Sequence, residues 1–125
     1  MGNTPKIFES EYRFLQILWE HEPVGSTQLV KLCRETLEWS KATTYTVIRR
    51  LSERGVVRNE NATVTSLVSK DEVQEAEIDE LVERTFGGSI PQFVAAFTRK
   101  ENLSREDIAQ IRQMLDAYDK GGEQP

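Results

Sequence analysis

Apolar positions recur at helical spacing from the start of the chain. Between Ser10 and His21, Tyr12, Leu15 and Trp19, with Phe14 and Leu18 beside them, step by three and four residues, which predicts an amphipathic helix. Pro23 and Gly25 interrupt it, and Ser26 is a candidate N-cap for a second helix to about Leu37 whose stripe is Leu29, Leu32, Cys33 and Leu37. Ser40 opens a third helix, KATTYTVIRRLSER, that ends at Gly55 as its C′ residue. At about 100° per residue this helix turns Thr44, Val47, Ile48 and Leu51 to one side and Ala42, Thr43, Thr46, Arg49 and Arg50 to the other. The inner side is apolar, the outer side small, hydroxylic and cationic.

The period then shortens. VVR at 56–58 and TVTSLVS at 63–69 flank the turn-rich NENA and predict a β-hairpin. Helical spacing returns over Lys70 to Phe86, introduced by a Ser69/Glu72 capping box, with Val73, Ile78, Leu81, Val82 and Phe86 as its apolar positions and Gly87-Gly88 as its stop. SIPQFVAAFTRK follows, with Pro91 suited to a helix's first turn. Ser104 begins a last helix whose stripe is Ile108, Ile111, Leu115 and Tyr118. Residues 120–125 are expected to be a disordered tail.

These elements fit the 125 residues of a small globular chain, and no run reaches the ~18 apolar residues of a membrane helix. The opening MGNTPKIFESE lacks the apolar stretch of a secretory signal, so a cytoplasmic protein is expected. One cysteine and one histidine cannot make an intramolecular disulfide or an ordinary His/Cys metal cluster, and no metal or other cofactor is expected. Cys33 reads as a core residue, and His21 as a residue favourably placed at a helix C-terminus. A nucleophile elbow and a phosphate-binding glycine loop are both missing, so the chain does not read as an enzyme.

The net charge of −5 argues against a nucleic-acid partner until it is resolved by position. Residues 1–70 carry 10 Lys and Arg against 8 Asp and Glu, whereas residues 71–125 carry 6 against 13. Within 40–58, Lys41, Arg49, Arg50, Arg54 and Arg58 face only Glu53. A basic island thus sits in an acidic chain.

Three helices followed by a hairpin, with the third helix polar and basic outside, is the order of a winged helix-turn-helix, whose third helix enters the DNA major groove. The expected fold is mainly α with a small hairpin: a winged helix over 1–69, then a helical dimerisation region over 70–119. Candidate DNA contacts are Ser26, Lys41, Ala42, Thr43, Tyr45, Thr46, Arg49, Arg50 and Arg58. Fewer than ~60 residues after the hairpin make a marginal core, which points to a homodimer. Its candidate contacts are Val73, Ile78, Leu81, Val82, Phe86, Phe93, Phe97, Ile108, Ile111 and Leu115. Two copies predict a pseudo-palindromic operator. The other reading is a winged-helix protein-interaction scaffold without DNA readout.

The stretches EYRFLQILWEHEPVGSTQLV, EWSKATTYTVIRRLSERGVV, FGGSIPQFVAAF and ENLSREDIAQIRQML also resemble, in the same order, the penicillinase and methicillin-resistance repressors, the BlaI/MecI family. Trp39-Ser40, Thr43, Thr46, Arg50-Leu51 and Gly55 fall on that family's recognition-helix pattern. The resemblance implies a dimeric winged-helix repressor acting at promoters of β-lactamase or related resistance genes. Members controlled by a membrane sensor-protease are cut at an Asn-Phe bond, and the matching position here is Ala96-Phe97. Phe97 is kept and the Asn is not, which argues against that cut and that partner. Copper-responsive relatives end in paired CxC motifs, so a chain with Cys33 as its sole cysteine is not expected to sense copper. The hairpin tip NENAT lacks the family's Gly-Arg and aromatic residues, and a weak minor-groove contact is expected.

Overall fold

A computed structural model describes residues 4–100 and 102–122. The elements run α1 (Glu9–His21), β1 (Val24–Gly25), α2 (Ser26–Leu37), α3 (Lys41–Glu53), β2 (Val57–Glu60), β3 (Thr63–Ser66), α4 (Lys70–Phe86), α5 (Ile90–Lys100) and α6 (Arg105–Gly122). The strands form one antiparallel sheet in the order β1-β3-β2. This is the winged-helix arrangement followed by helices.

The winged unit is built around one core. Phe14, Leu15 and Leu18 of α1, Leu29 and Cys33 of α2, Ile48 and Leu51 of α3, and Val56, Val57 and Val64 of the hairpin are all withdrawn from water. Each such Leu, Ile, Val or Phe contributes about 1.5–3 kcal/mol relative to exposure. Trp39 stacks on Phe14 with ring centroids 6.1 Å apart, and Trp19 Nε1 donates to the Val68 carbonyl at 3.1 Å.

Both ends of α3 are closed locally, as the sequence predicts. Ser40 Oγ accepts the Thr43 amide at 3.1 Å. At the far end the Val56 amide bonds the Leu51 carbonyl at 2.8 Å and the Gly55 amide bonds that of Ser52 at 3.1 Å, a Schellman pair made possible by Gly55 at φ +77°. The Ser69/Glu72 capping box likewise forms with both bonds, at 2.7 and 3.0 Å.

Elsewhere the structure corrects the sequence reading. Ser26 is not the N-cap of α2: Gly25 caps it with extended backbone, and Ser26 is the first helical residue. The cause is β1, a strand that two residues cannot announce by alternation. It pairs Val24 with Val64 and Gly25 with Thr63, and the Ser26 amide donates to the Ala62 carbonyl at 2.8 Å. The hairpin turn is also tighter than NENA. Asn59 and Glu60 continue β2, and the turn is Asn61-Ala62 with both residues left-handed, at φ 54° and 60°, closing on the Glu60–Thr63 pair. Two positive φ values make this a type I′ turn, whose twist matches that of the strands.

The chain divides into two compact units, Met1–Glu80 and Leu81–Pro125, so the boundary falls inside α4 and not after residue 69. The first half of α4 belongs to the winged unit because Val73 is buried there and the Gln74 amide group donates to the Tyr12 hydroxyl at 3.3 Å. In the second unit Phe86 meets Phe93 edge-on at 5.6 Å. Val82 is buried, but α5 buries no residue and the described side chains of α6 are all exposed. Residues 120–122 continue α6, correcting the expected tail, and 123–125 lie outside the described residues.

Candidate nucleic-acid interface

The outer face of α3 follows from its register. With Thr44, Val47, Ile48 and Leu51 turned into the core, Lys41, Ala42, Thr43, Arg49 and Arg50 are left exposed and Thr46 half-exposed. The buried Thr44 hydroxyl donates to the Ser40 carbonyl at 3.1 Å, so a polar residue on the inner side is satisfied within its own helix. On the outer side Thr43 Oγ1 accepts from the Ser40 hydroxyl at 3.1 Å, which leaves its own proton for an outside acceptor. The first turns therefore present small hydroxylic groups, and the later turns present guanidinium groups.

Tyr45 and Ser26 occupy different positions from the rest. Ser26 is 5% exposed, and its hydroxyl accepts from the Tyr45 phenol at 3.3 Å. The pair ties the start of α2 to α3, and the Ser26 hydroxyl is withdrawn from the surface on which the sequence reading placed it. Tyr45 is half-buried beside it. Arg58 projects from β2, with Asn59, Glu60, Asn61, Ala62 and Thr63 exposed around the hairpin tip and no aromatic residue among them.

The cations on this face differ in what already holds them. Arg49 Nη1 lies 3.6 Å from Glu53 Oε2 one turn on, and Arg58 Nε lies 3.9 Å from Glu60 Oε2. Among the described residues Lys41 and Arg50 have no ion-pair partner. Arg54, counted with the basic island, is a structural residue instead. Its Nη1 bonds Glu11 Oε2 at 2.7 Å, its Nη2 donates to the Lys6 carbonyl, and the guanidinium lies 5.6 Å from the Phe8 ring centroid. Burial pushes the Glu11 carboxyl up, but the Arg54 hydrogen bond, the Phe8 amide and the charges of Arg54 and Arg50 outweigh it and hold the group below its ordinary value. Sequence counting missed this partner because Glu11 lies far from Arg54 along the chain.

The proposed dimer residues separate by unit. Val73, 1% exposed, is part of the winged unit and unavailable to a partner, and Ile78 is an exposed residue of that same unit. In the second unit Val82 is buried, Leu81, Phe86 and Phe93 are half-buried, and Phe97, Ile108, Ile111 and Leu115 are exposed. Val94, Phe97, Leu103, Ile108 and Ile111 line a groove of about 570 Å³ beside α5 and α6. The sequence reading missed Ile90, Val94 and Met114, which are exposed as well. Their signal was present: Val94 is four residues past Ile90 and three before Phe97, and Met114 is three past Ile111. Ala96 is half-buried within α5.

Among the described residues no cluster of His, Cys, Asp and Glu could hold a metal ion, and no helix is long and apolar enough to cross a membrane.

The profile of the family described as Penicillinase repressor matches residues 7–117. The chain is 22% identical to a penicillinase repressor of Bacillus licheniformis over 122 residues, covering 94% of this chain and 95% of the relative. It is 24% identical over 118 residues to the methicillin resistance regulatory protein MecI of Staphylococcus aureus, covering 91% and 96%. Among solved structures it is similar to the Bacillus licheniformis BlaI monomeric form in complex with the blaP half-operator, with a TM-score of 0.50, 22% identity, and coverage of 58% of this chain and 93% of that one.

Proposed function

Because the chain belongs to the penicillinase repressor family, whose members are transcriptional repressors and not enzymes, we propose that it is a sequence-specific DNA-binding repressor acting as a homodimer on a pseudo-palindromic operator. The observation that carries this reading is the outer face of α3. Capped at Ser40 and closed at Gly55, the helix turns a buried apolar side inward and presents Ala42, Thr43, Thr46, Arg49 and Arg50 as one surface. Ala42 allows close approach to a groove, Thr43 and Thr46 can bond base edges or phosphate or touch a thymine methyl, and Arg50 can make two bonds to guanine. Lys41 and Arg58, both exposed, would on this reading contribute positive charge near the phosphates.

The dimer reading is supported by α6, whose Ile108, Ile111, Met114, Leu115 and Tyr118 are exposed together and would cost solubility in a lone chain. The acidic balance of residues 71–125 suits a part held away from phosphate. The solved relative is described as a monomer on a half-operator, which fits a twofold site read by two copies. Its targets, on this reading, are β-lactamase or related resistance genes. Release through a cut at Ala96–Phe97 is not part of the proposal: the Asn is missing, and the bond lies inside helical backbone that a protease would first have to unwind.

The test is enrichment of duplexes from a random-sequence pool by the full-length protein. An inverted repeat with half-sites about 10 base pairs or a multiple apart is expected, with affinity falling as salt rises. Arg50→Ala should cost about 1–3 kcal/mol and relax preference at one base pair. Recovery of no preferred sequence would remove the repressor reading and leave the scaffold. Sedimentation tests the dimer, which Leu115→Asp should dissociate.

A further inference from the structure

The outer face of α3 ends on a residue that a DNA-reading surface has no obvious use for. Glu53 follows Arg49 by one turn, both side chains are more than 60% exposed, and the two meet at 3.6 Å. Helix stability does not explain the choice. A carboxylate in the last turn opposes the helix dipole, and an acid placed after its basic partner is the less favourable order for such a pair. The wing repeats the arrangement, with Glu60 at 3.9 Å from Arg58. Two of the exposed arginines of this surface thus carry their own carboxylates.

We propose that Glu53 is a specificity-determining residue that lowers affinity for arbitrary DNA more than for the operator. The inference rests on the repressor reading above. Affinity for any duplex comes from phosphates neutralised by free cations. Glu53 cancels part of Arg49's charge and adds its own repulsion, so a random sequence gains little from this turn. At the operator, Arg49 leaves Glu53 for an acceptor in better geometry, and directional bonds elsewhere on α3 hold the helix in place. The exchange is easy because an exposed pair of this kind contributes only about 0.3–0.5 kcal/mol.

The test compares the full-length protein with Glu53→Gln and Glu53→Asp on two probes: the duplex enriched by selection and a scrambled duplex of the same composition. A carboxylate roughly 7 Å from a phosphate weakens binding by about two- to threefold per helix at low salt. Glu53→Gln should therefore tighten binding to the scrambled duplex by that factor, steepen its salt dependence by up to about 0.9 in log–log slope per helix, and tighten the selected duplex less. Glu53→Asp keeps the charge and should keep the discrimination of the unaltered protein, which a purely steric role would not predict. An equal gain on both probes, or no change on either, overturns the proposal. These outcomes are distinct from failure of the repressor reading, in which selection by the unaltered protein enriches nothing.

Discussion

Arg54→Ala takes from Glu11 the guanidinium that it meets at 2.7 Å. The two partners do not recover equally, because the Glu11 side chain is 9% exposed and that of Arg54 is 32% exposed. The substitution strands the more buried charge. Breaking a fully buried ion pair in this way costs about 3–5 kcal/mol. Here the Phe8 amide still bonds the carboxylate at 3.0 Å and water reaches the vacated side, so about 2 kcal/mol is expected. The effect should depend on pH in a defined sense. Glu11 titrates below its ordinary value of 4.5 in the folded protein, so the stability it contributes is fully present above that value and is lost as pH falls through the lowered one. With Arg54 gone, the carboxyl loses both the hydrogen bond and the charge of the guanidinium, keeps only the Phe8 amide and the Arg50 charge against burial, and titrates higher than in the unaltered protein. The deficit of the variant is then largest near neutrality and shrinks under acid conditions. Urea unfolding followed by circular dichroism, at about pH 7 and about pH 3.5 and at one fixed protein concentration, measures both points. Glu11→Gln should cost about half as much, since the freed Arg54 can turn to water, and the double variant should cost less than Arg54→Ala alone. A loss under about 0.5 kcal/mol at neutrality, or an equal loss at both pH values, would mean that Arg54 does not hold the Glu11 charge in the folded protein.

Ser40→Ala removes the side-chain acceptor for the Thr43 amide and should destabilise the protein by about 1 kcal/mol, whereas Ser40→Gly should cost a few tenths, both read from urea midpoints. Ala62→Gly should stabilise by about 0.5–1 kcal/mol, because Ala62 sits at φ 60° where a Cβ is strained, and the thermal midpoint should rise. Burial pushes the Cys33 thiol up to about 11 against a smaller opposing effect of the Thr44 hydrogen bond. A thiol reagent at about pH 8 should therefore react with native protein only as fast as the winged unit opens, and promptly once it is unfolded.

Much of the fold was legible because its determinants are local. The three-four periodicity of α1, α3 and α4, the serines at 40, 69 and 104, and the glycines at 55 and 87–88 act within a turn or two of the residues they control. The spacing of α3 assigns Thr44, Val47, Ile48 and Leu51 to its inner side, and those are the residues it buries. The candidate face was legible for the same reason, since what is turned away from a known inner side must be outside.

Contacts between distant residues decided the rest. β1 exists because β3 offers it a partner, and that pairing moves the cap of α2 from Ser26 to Gly25 and buries Ser26 against Tyr45. Val73 lies on a stripe that the sequence assigns to a partner, because a helical stripe does not say which neighbour will cover it; in the folded chain it is buried and belongs to the winged unit. Charge shows the difference most clearly. A sum along the chain counted Arg54 as part of a reading surface, but Glu11, Lys6 and Phe8 claim it, while Arg49 and Arg58 stand beside carboxylates. Composition along a segment determines how many charges it carries. Only the folded chain determines which of them remain available, because that depends on what comes within a few ångströms in space.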